Sequence, residues 1–117
     1  MAAAALALQV LADPTRFRIV EELRGGERSV GSLVAAVGGC QPGVSRHLRI
    51  LTEAGFVGAR ADGRRRLYSL RPKPFRDLES WVHGYRALVE ARLDRLEEML
   101  EQDDLPQQLP KDRAHKE

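Results

Sequence analysis

A mainly α fold carrying one small β-hairpin is what this sequence predicts, and three observations predict it. Apolar residues recur every three or four positions through most of the chain. One stretch, FVGARADGRRRLYSL from Phe56 to Leu70, breaks that period and holds Asp62-Gly63 at its middle, a dipeptide that favours a two-residue hairpin turn. Beyond it, about Phe75 to Gln102 steps by threes and fours along a single seam, as one long terminal helix would.

The 117 residues suffice for one domain with a modest core. That domain is expected over 1–102, with 103–117 (DDLPQQLPKDRAHKE) a flexible polar tail interrupted by prolines. A content of 43% hydrophobic and 31% charged residues is globular. There is no apolar run long enough to span a bilayer, and MAAAALALQVLA lacks the basic start of a signal peptide. A cytoplasmic protein with no membrane partner is therefore expected. A single cysteine, Cys40, argues against a disulfide framework and against any Cys-only metal site within one chain.

Taken in order, a first helix covers about Ala3 to Leu11. Asp13-Pro14 then supplies an N-cap followed by proline at the first helical position. The second helix runs to about Arg24 with Ile19, Val20 and Leu23 inward, and Gly25-Gly26 ends it. Ser29 caps a third, whose Val30, Leu33, Val34 and Val37 make a buried face. After the tight connection Gly38-Gly39-Cys40 comes a fourth helix, Gln41 to Ala54, stopped by Gly55. Its back is Val44, Leu48 and Leu51, flanked by His47, Ile50 and Ala54. Its front is Gln41, Pro42, Ser45, Arg46, Arg49 and Glu53. Two short helices joined by a three-residue, glycine-containing turn are a helix-turn-helix.

In the hairpin, pairing outward from Asp62-Gly63 sets Ala61 against Arg64, Ala59 against Arg66 and Val57 against Tyr68. Val57, Tyr68 and Leu70 are expected to anchor its base. Arg60, Arg64, Arg65 and Arg66 crowd the tip, where like charges repel across strands, so an anion is the expected reason for them. The last helix carries Phe75, Leu78, Val82, Tyr85, Val89, Leu93, Leu96 and Leu100, widened by Trp81, Leu88 and Met99. At roughly 40 Å it exceeds what so small a domain covers alone. A second copy of the chain is the simplest partner. That homodimer would use Leu6 and Val10 of the first helix with Leu78, Trp81, Val82, Tyr85, Val89, Leu93 and Leu96 of the last.

Charge is segregated along the chain. From Gln41 to Arg71 seven arginines stand against two acids, a net of +5, whereas from Phe75 to Asp104 four arginines stand against nine acids, a net of −5. A polyanion would meet the middle of the chain and avoid the last helix.

A helix-turn-helix followed by a basic hairpin is the winged helix-turn-helix layout, and its usual ligand is double-stranded DNA. The fourth helix is then the recognition helix. Gln41, Pro42, Ser45, Arg46 and Arg49 are its base-reading candidates, since Gln bridges adenine and Arg forks onto guanine. Arg60, Arg64, Arg65 and Arg66 would take phosphates or enter the minor groove. The competing interpretation is a protein-interaction module whose basic wing binds an acidic partner; base-sequence preference separates the two. No Gly-rich phosphate loop follows a strand and no nucleophile–His–acid set is visible, so an enzyme is not expected.

These pieces resemble the ArsR family of bacterial winged-helix transcription repressors. LADPTR opens the second helix, SVGSL the third, QPGVSRHLRILTEAGFV is the recognition helix and DGRRRLYSL the wing. The likeness runs from about Leu11 to Leu70, and more loosely to Gln102. It implies a homodimer repressing a promoter through an imperfect inverted repeat. Many members sense metals, and here the sequence departs from the family. The Cys-x-Cys position of the third helix reads Ser29-Val30-Gly31-Ser32-Leu33, and the last helix offers only His83 with Asp77 and Glu79. No metal and no cofactor is expected. His47, on the inner side of its helix, is read as a packed, hydrogen-bonded side chain, and Cys40 as a small semi-buried filler of its turn. The effector, a small molecule or an oxidant, is left unidentified.

Overall fold

The computed structural model describes residues 2–102. The chain divides after Trp81 into two compact units. The first holds helices α1 (Ala2–Leu11), α2 (Pro14–Leu23), α3 (Val30–Val37) and α4 (Gln41–Glu53). It also holds strands β1 (Arg28–Ser29), β2 (Val57–Asp62) and β3 (Arg65–Leu70), and most of α5 (Lys73–His83). The second contains α6 (Arg86–Gln102).

Local signals set the helix ends. The Asp13 carboxylate accepts from the N–H groups of Thr15 and Arg16 at 2.9 and 3.0 Å, satisfying two donors that the first turn of α2 leaves open. Ser29 Oγ does the same for Ser32 N–H at 3.2 Å in α3. At the end of α4 the chain reverses through Gly55 at φ +82°, a region costly for any side chain with a Cβ. Gly55 N–H donates to Thr52 O at 3.0 Å and Phe56 N–H to Leu51 O at 2.9 Å, the Schellman pattern, with Phe56 and Leu51 both fully buried.

Ile19, Leu23, Leu33, Leu48, Leu51, Phe56 and Val57 form the centre of one core, with Val30, Val34, Val37, Tyr68, Leu70, Phe75 and Leu78 packed around it. Each fully buried aliphatic or aromatic side chain contributes about 1.5–3 kcal/mol to keeping the elements together. Among the described residues no polar or charged side chain is buried. The expected inner faces of α2, α3 and α4 all turn to this core.

Three differences from the sequence expectations carry information. First, the sheet has three strands in the order β1-β3-β2, all antiparallel, because Arg28 and Ser29 pair with Tyr68 and Leu67. Second, the hairpin loop is Gly63-Arg64, with Asp62 opposite Arg65, Ala61 opposite Arg66 and Val57 opposite Leu70. A type I′ turn on Asp62-Gly63 needs positive φ at both residues, whereas a turn with glycine first needs it only there. Gly63 sits at φ +66° and no other residue type in the described chain has positive φ. Val57 at the hairpin's base and Leu67 opposite Arg60 are both buried. Third, the long terminal helix is interrupted at Gly84 and Tyr85, where Tyr85 N–H closes a tighter bond to Val82 O at 2.8 Å. A glycine inside a helix costs about 1 kcal/mol relative to alanine, and the turn forms there.

Val10 also departs from expectation. With Ala4 and Ala7 it forms the inner stripe of α1 and packs into its own chain's core, leaving Leu6 exposed. The Leu93 side chain and the tail 103–117 lie outside the described residues. The remaining members of the expected dimer face are exposed at Val82, Tyr85, Val89 and Leu96 and half-buried at Leu78 and Trp81.

Candidate nucleic-acid interface

Helix α4 presents two opposed faces. Val44, Leu48 and Leu51 are 2% exposed or less, while Gln41, Pro42, Ser45, Arg46 and Arg49 all stand in solvent. Its start differs from those of α2 and α3. Cys40 occupies the N-cap position with no side-chain hydrogen bond to the first turn. The N–H groups of that turn, and the partial positive charge they carry, are left for water or an anion. Cys40 itself is exposed rather than semi-buried.

A small polar cluster braces the inner side of α4. Arg16 donates Nε–H to Val10 O at 2.8 Å and lies 3.4 Å from His47 Nδ1; Asp13 Oδ2 is 3.9 Å from the same nitrogen. The cluster therefore joins the end of α1, the start of α2 and the middle of α4, and His47 is half-buried and partnered as its place on the helix implies. The N–H of Arg16 is the largest influence and lowers the Asp13 carboxyl below its usual range; burial opposes it, and the charges of His47 and Arg16 and the N–H of Thr15 add to the lowering. Arg18 adds a second tie, donating to Ala36 O of α3 at 2.9 Å.

The wing's arginines do not share one environment. Arg60 grips Glu27 with Nε and a terminal nitrogen at 2.6 and 2.9 Å, so it is turned to a carboxylate of its own chain. That pairing lowers the Glu27 carboxyl below its ordinary range and raises the Arg60 guanidinium. Arg65 meets Asp62 across the loop at 3.1 Å. Among the described residues Arg64 and Arg66 have no carboxylate partner, and both are exposed. Glu27 is the participant that sequence reasoning missed. It lies in a turn 33 positions before Arg60, and no periodicity links the two. Arg28, also missed, pairs with Glu22 and donates to Ser32 Oγ at 2.9 Å, fastening β1 between α2 and α3.

The candidate metal ligands are not gathered. Asp77 takes Lys73 at 2.9 Å, His83 lies beside Arg86 at 3.4 Å, and among the described residues no three His, Cys, Asp or Glu side chains come together as a metal site would need. No described helix is long and apolar enough to cross a membrane.

Comparison with known proteins agrees with this geometry. Residues 13–58, from the α2 cap to the start of β2, match the family described as bacterial regulatory protein, arsR family. The probable mercury resistance operon repressor of Streptomyces lividans is 40% identical over 86 residues, covering 74% of this chain and 69% of that one. The HTH-type transcriptional regulator Rv2034 of Mycobacterium tuberculosis is 38% identical over 96 residues, covering 75% and 90%. Among solved structures, the homodimeric winged helix-turn-helix DNA-binding domain of Mb0332 from Mycobacterium bovis superposes with a TM-score of 0.56 at 26% identity, covering 80% of this chain and 83% of that one. With two side-chain-capped helices, an exposed α4 front and a basic hairpin in the same order, this chain belongs to the ArsR family of bacterial regulatory proteins and is a DNA-binding transcriptional regulator of the winged helix-turn-helix type.

Proposed function

We propose that the chain acts as a homodimeric repressor that reads an imperfect inverted repeat with α4. The observation that carries this reading is the split character of α4: a wholly buried back and, at its uncapped N-terminal end, a solvent-facing front of Gln41, Pro42, Ser45, Arg46 and Arg49. A helix start without a side-chain cap, with Arg46 and Arg49 exposed further along the same helix, suits an anionic ligand. Placed in a major groove, Gln41 and Ser45 face the base edges nearest the helix start, Arg46 and Arg49 fork onto guanine, and the free N–H groups receive a phosphate.

In the wing, Arg64 and Arg66 supply the charge offered to the DNA backbone or minor groove. Arg65 contributes against the pull of Asp62, and Arg60 is the reserve held by Glu27. The domain 1–102 forms the functional unit, its dimer closed by the exposed apolar faces around Leu6, Val82, Tyr85, Val89 and Leu96. A homodimeric relative of the same fold supports this assembly. Half-sites would then lie about one helical turn apart. The protein works in the cytoplasm, where its DNA is, and without catalysis. A relative's association with mercury resistance belongs to that relative; this chain supplies a single thiol, Cys40. Footprinting on the chain's own upstream DNA tests the reading: two protected half-sites related by a dyad are expected, and uniform protection of any duplex would count against it.

A further inference from the structure

One cavity of the first unit plays no part in the DNA interface. A groove of about 510 Å³ opens between α2 and the start of α5, walled by Val20, Leu70, Pro72 and Phe75, with Glu21, Arg24 and Arg71 at its rim. That volume lies in the range of small-molecule sites, which combine apolar walls with a few placed polar groups. The pairing of the three rim charges decides what such a molecule is. Glu21 is held by Arg24 at 3.4 Å. Arg71 has no carboxylate partner among the described residues. Glu27 shares the adjoining 250 Å³ cavity with Arg71, but Arg60 occupies both of its oxygens. Arg71 instead rests its guanidinium against the backbone of Gly58, where a Cβ would come within 2.5 Å of Nε. Glycine at that position of β2 makes the space.

We propose that this groove binds a small organic acid, its apolar body along Val20, Leu70 and Phe75 and its carboxylate on Arg71. Charge complementarity selects the class. A guanidinium fork matches a carboxylate bidentately, a cation would meet Arg71 and Arg24, and a neutral oil would leave Arg71 as it is. The groove also adjoins the elements that set the DNA-binding face. Phe75 stands edge-on to Phe56 at 5.4 Å and 89°. Phe56 closes the end of α4 and accepts the Arg71 N–H at 2.9 Å. A carboxylate that draws Arg71 off Gly58 acts on β2 and on the residue that terminates the recognition helix, and so lowers DNA affinity. This last coupling rests on the DNA-binding reading; ligand binding does not.

Octanoate is the probe, with octanol as its neutral counterpart, titrated into the full chain while NMR follows the valine and leucine methyl groups. Octanoate is expected to shift Val20 and Leu70 saturably and to bind about tenfold more tightly than octanol. Arg71→Gln should abolish that preference and Arg71→Lys should keep part of it, while Arg24→Gln leaves it in place. The Arg71 side chain is exposed, and unchanged methyl shifts elsewhere will show that each variant is folded. Equal binding of acid and alcohol, shifts mapping to other methyls, or no saturation at millimolar octanoate overturns the site. Octanoate is then added to the protein–duplex complex: weakened binding in the wild type but not in Arg71→Gln is expected. Saturation of the groove with DNA affinity unchanged overturns the coupling. A protein that prefers no duplex would sink the DNA reading and leave the titration standing.

Discussion

Arg60 sets two guanidinium nitrogens against the two carboxylate oxygens of Glu27, at 2.6 and 2.9 Å, across 33 positions of sequence. The pair ties the wing's β2 strand to the segment before β1 and turns one wing cation to a carboxylate of its own chain. Bidentate geometry gives the contact direction; its exposure keeps it weak as a source of stability. Its consequence is therefore sought in binding.

Glu27→Gln is predicted to release Arg60 toward the duplex. Affinity for all duplexes should rise and the salt dependence of log K should steepen by about one phosphate's worth, roughly 0.9. Anisotropy titrations across a salt series check this. A slope equal to that of the wild type would mean Arg60 does not reach DNA once freed.

The helix and wing arginines are predicted to fail differently. Arg46→Ala or Arg49→Ala should lose about 1–3 kcal/mol of discrimination between operator and shuffled duplex. Arg64→Ala and Arg66→Ala should weaken both duplexes alike and flatten the salt slope by roughly 0.9 each. Arg65→Ala should do less, because Asp62 already holds it at 3.1 Å. Loss of discrimination in the wing variants, with none in the helix variants, would reverse the assignment.

Asp13 is predicted to matter for stability, in a pH-dependent way. Removing its cap by Asp13→Ala should cost about 1 kcal/mol at neutral pH. The folded-state carboxyl lies below its ordinary value of 3.8, so the stabilisation by its charge is complete above pH 3.8 and is lost as pH falls through the lower, folded value. Urea denaturation at neutral pH and near pH 3 should show the gap between wild type and Asp13→Ala narrowing in acid; a gap that widens would contradict the account.

Exposed apolar side chains on α6 are predicted to hold the dimer. Val89, 55% exposed in the single chain, is the test position. Val89→Asp would place a carboxylate in that face and should weaken dimerisation at least about tenfold, read by sedimentation. An unchanged dimer would move the interface elsewhere.

Much of the scaffold was legible in the sequence because its signals are local. Asp13-Pro14, Ser29 and Gly55 mark helix ends through contacts within a few residues, and the back of α4 follows from spacing alone. What escaped is non-local or a matter of degree. β1 is two residues long and exists only by pairing with β3. Gly63 was identified as part of the turn, but which neighbour shared the loop depended on the sign of φ at Asp62. The apolar seam past Phe75 runs on regardless of Gly84, so periodicity hid the break. Val10 fits an inner and an outer stripe equally until α1 is docked. Glu27 with Arg60, and Arg71 with Gly58, are meetings across the fold that no spacing announces. The exposure of the α4 front followed from spacing, since the five side chains proposed to read bases all stand in solvent.

The most direct test of the central claim is fluorescence anisotropy of the full chain with its own labelled upstream DNA and with a shuffled duplex, at near-physiological salt. Preference for the native duplex by a factor of roughly 1,000 or more is the predicted result for a sequence-specific regulator. Equal, salt-sensitive affinity for both duplexes would contradict it, leaving a basic wing that binds charge without reading sequence.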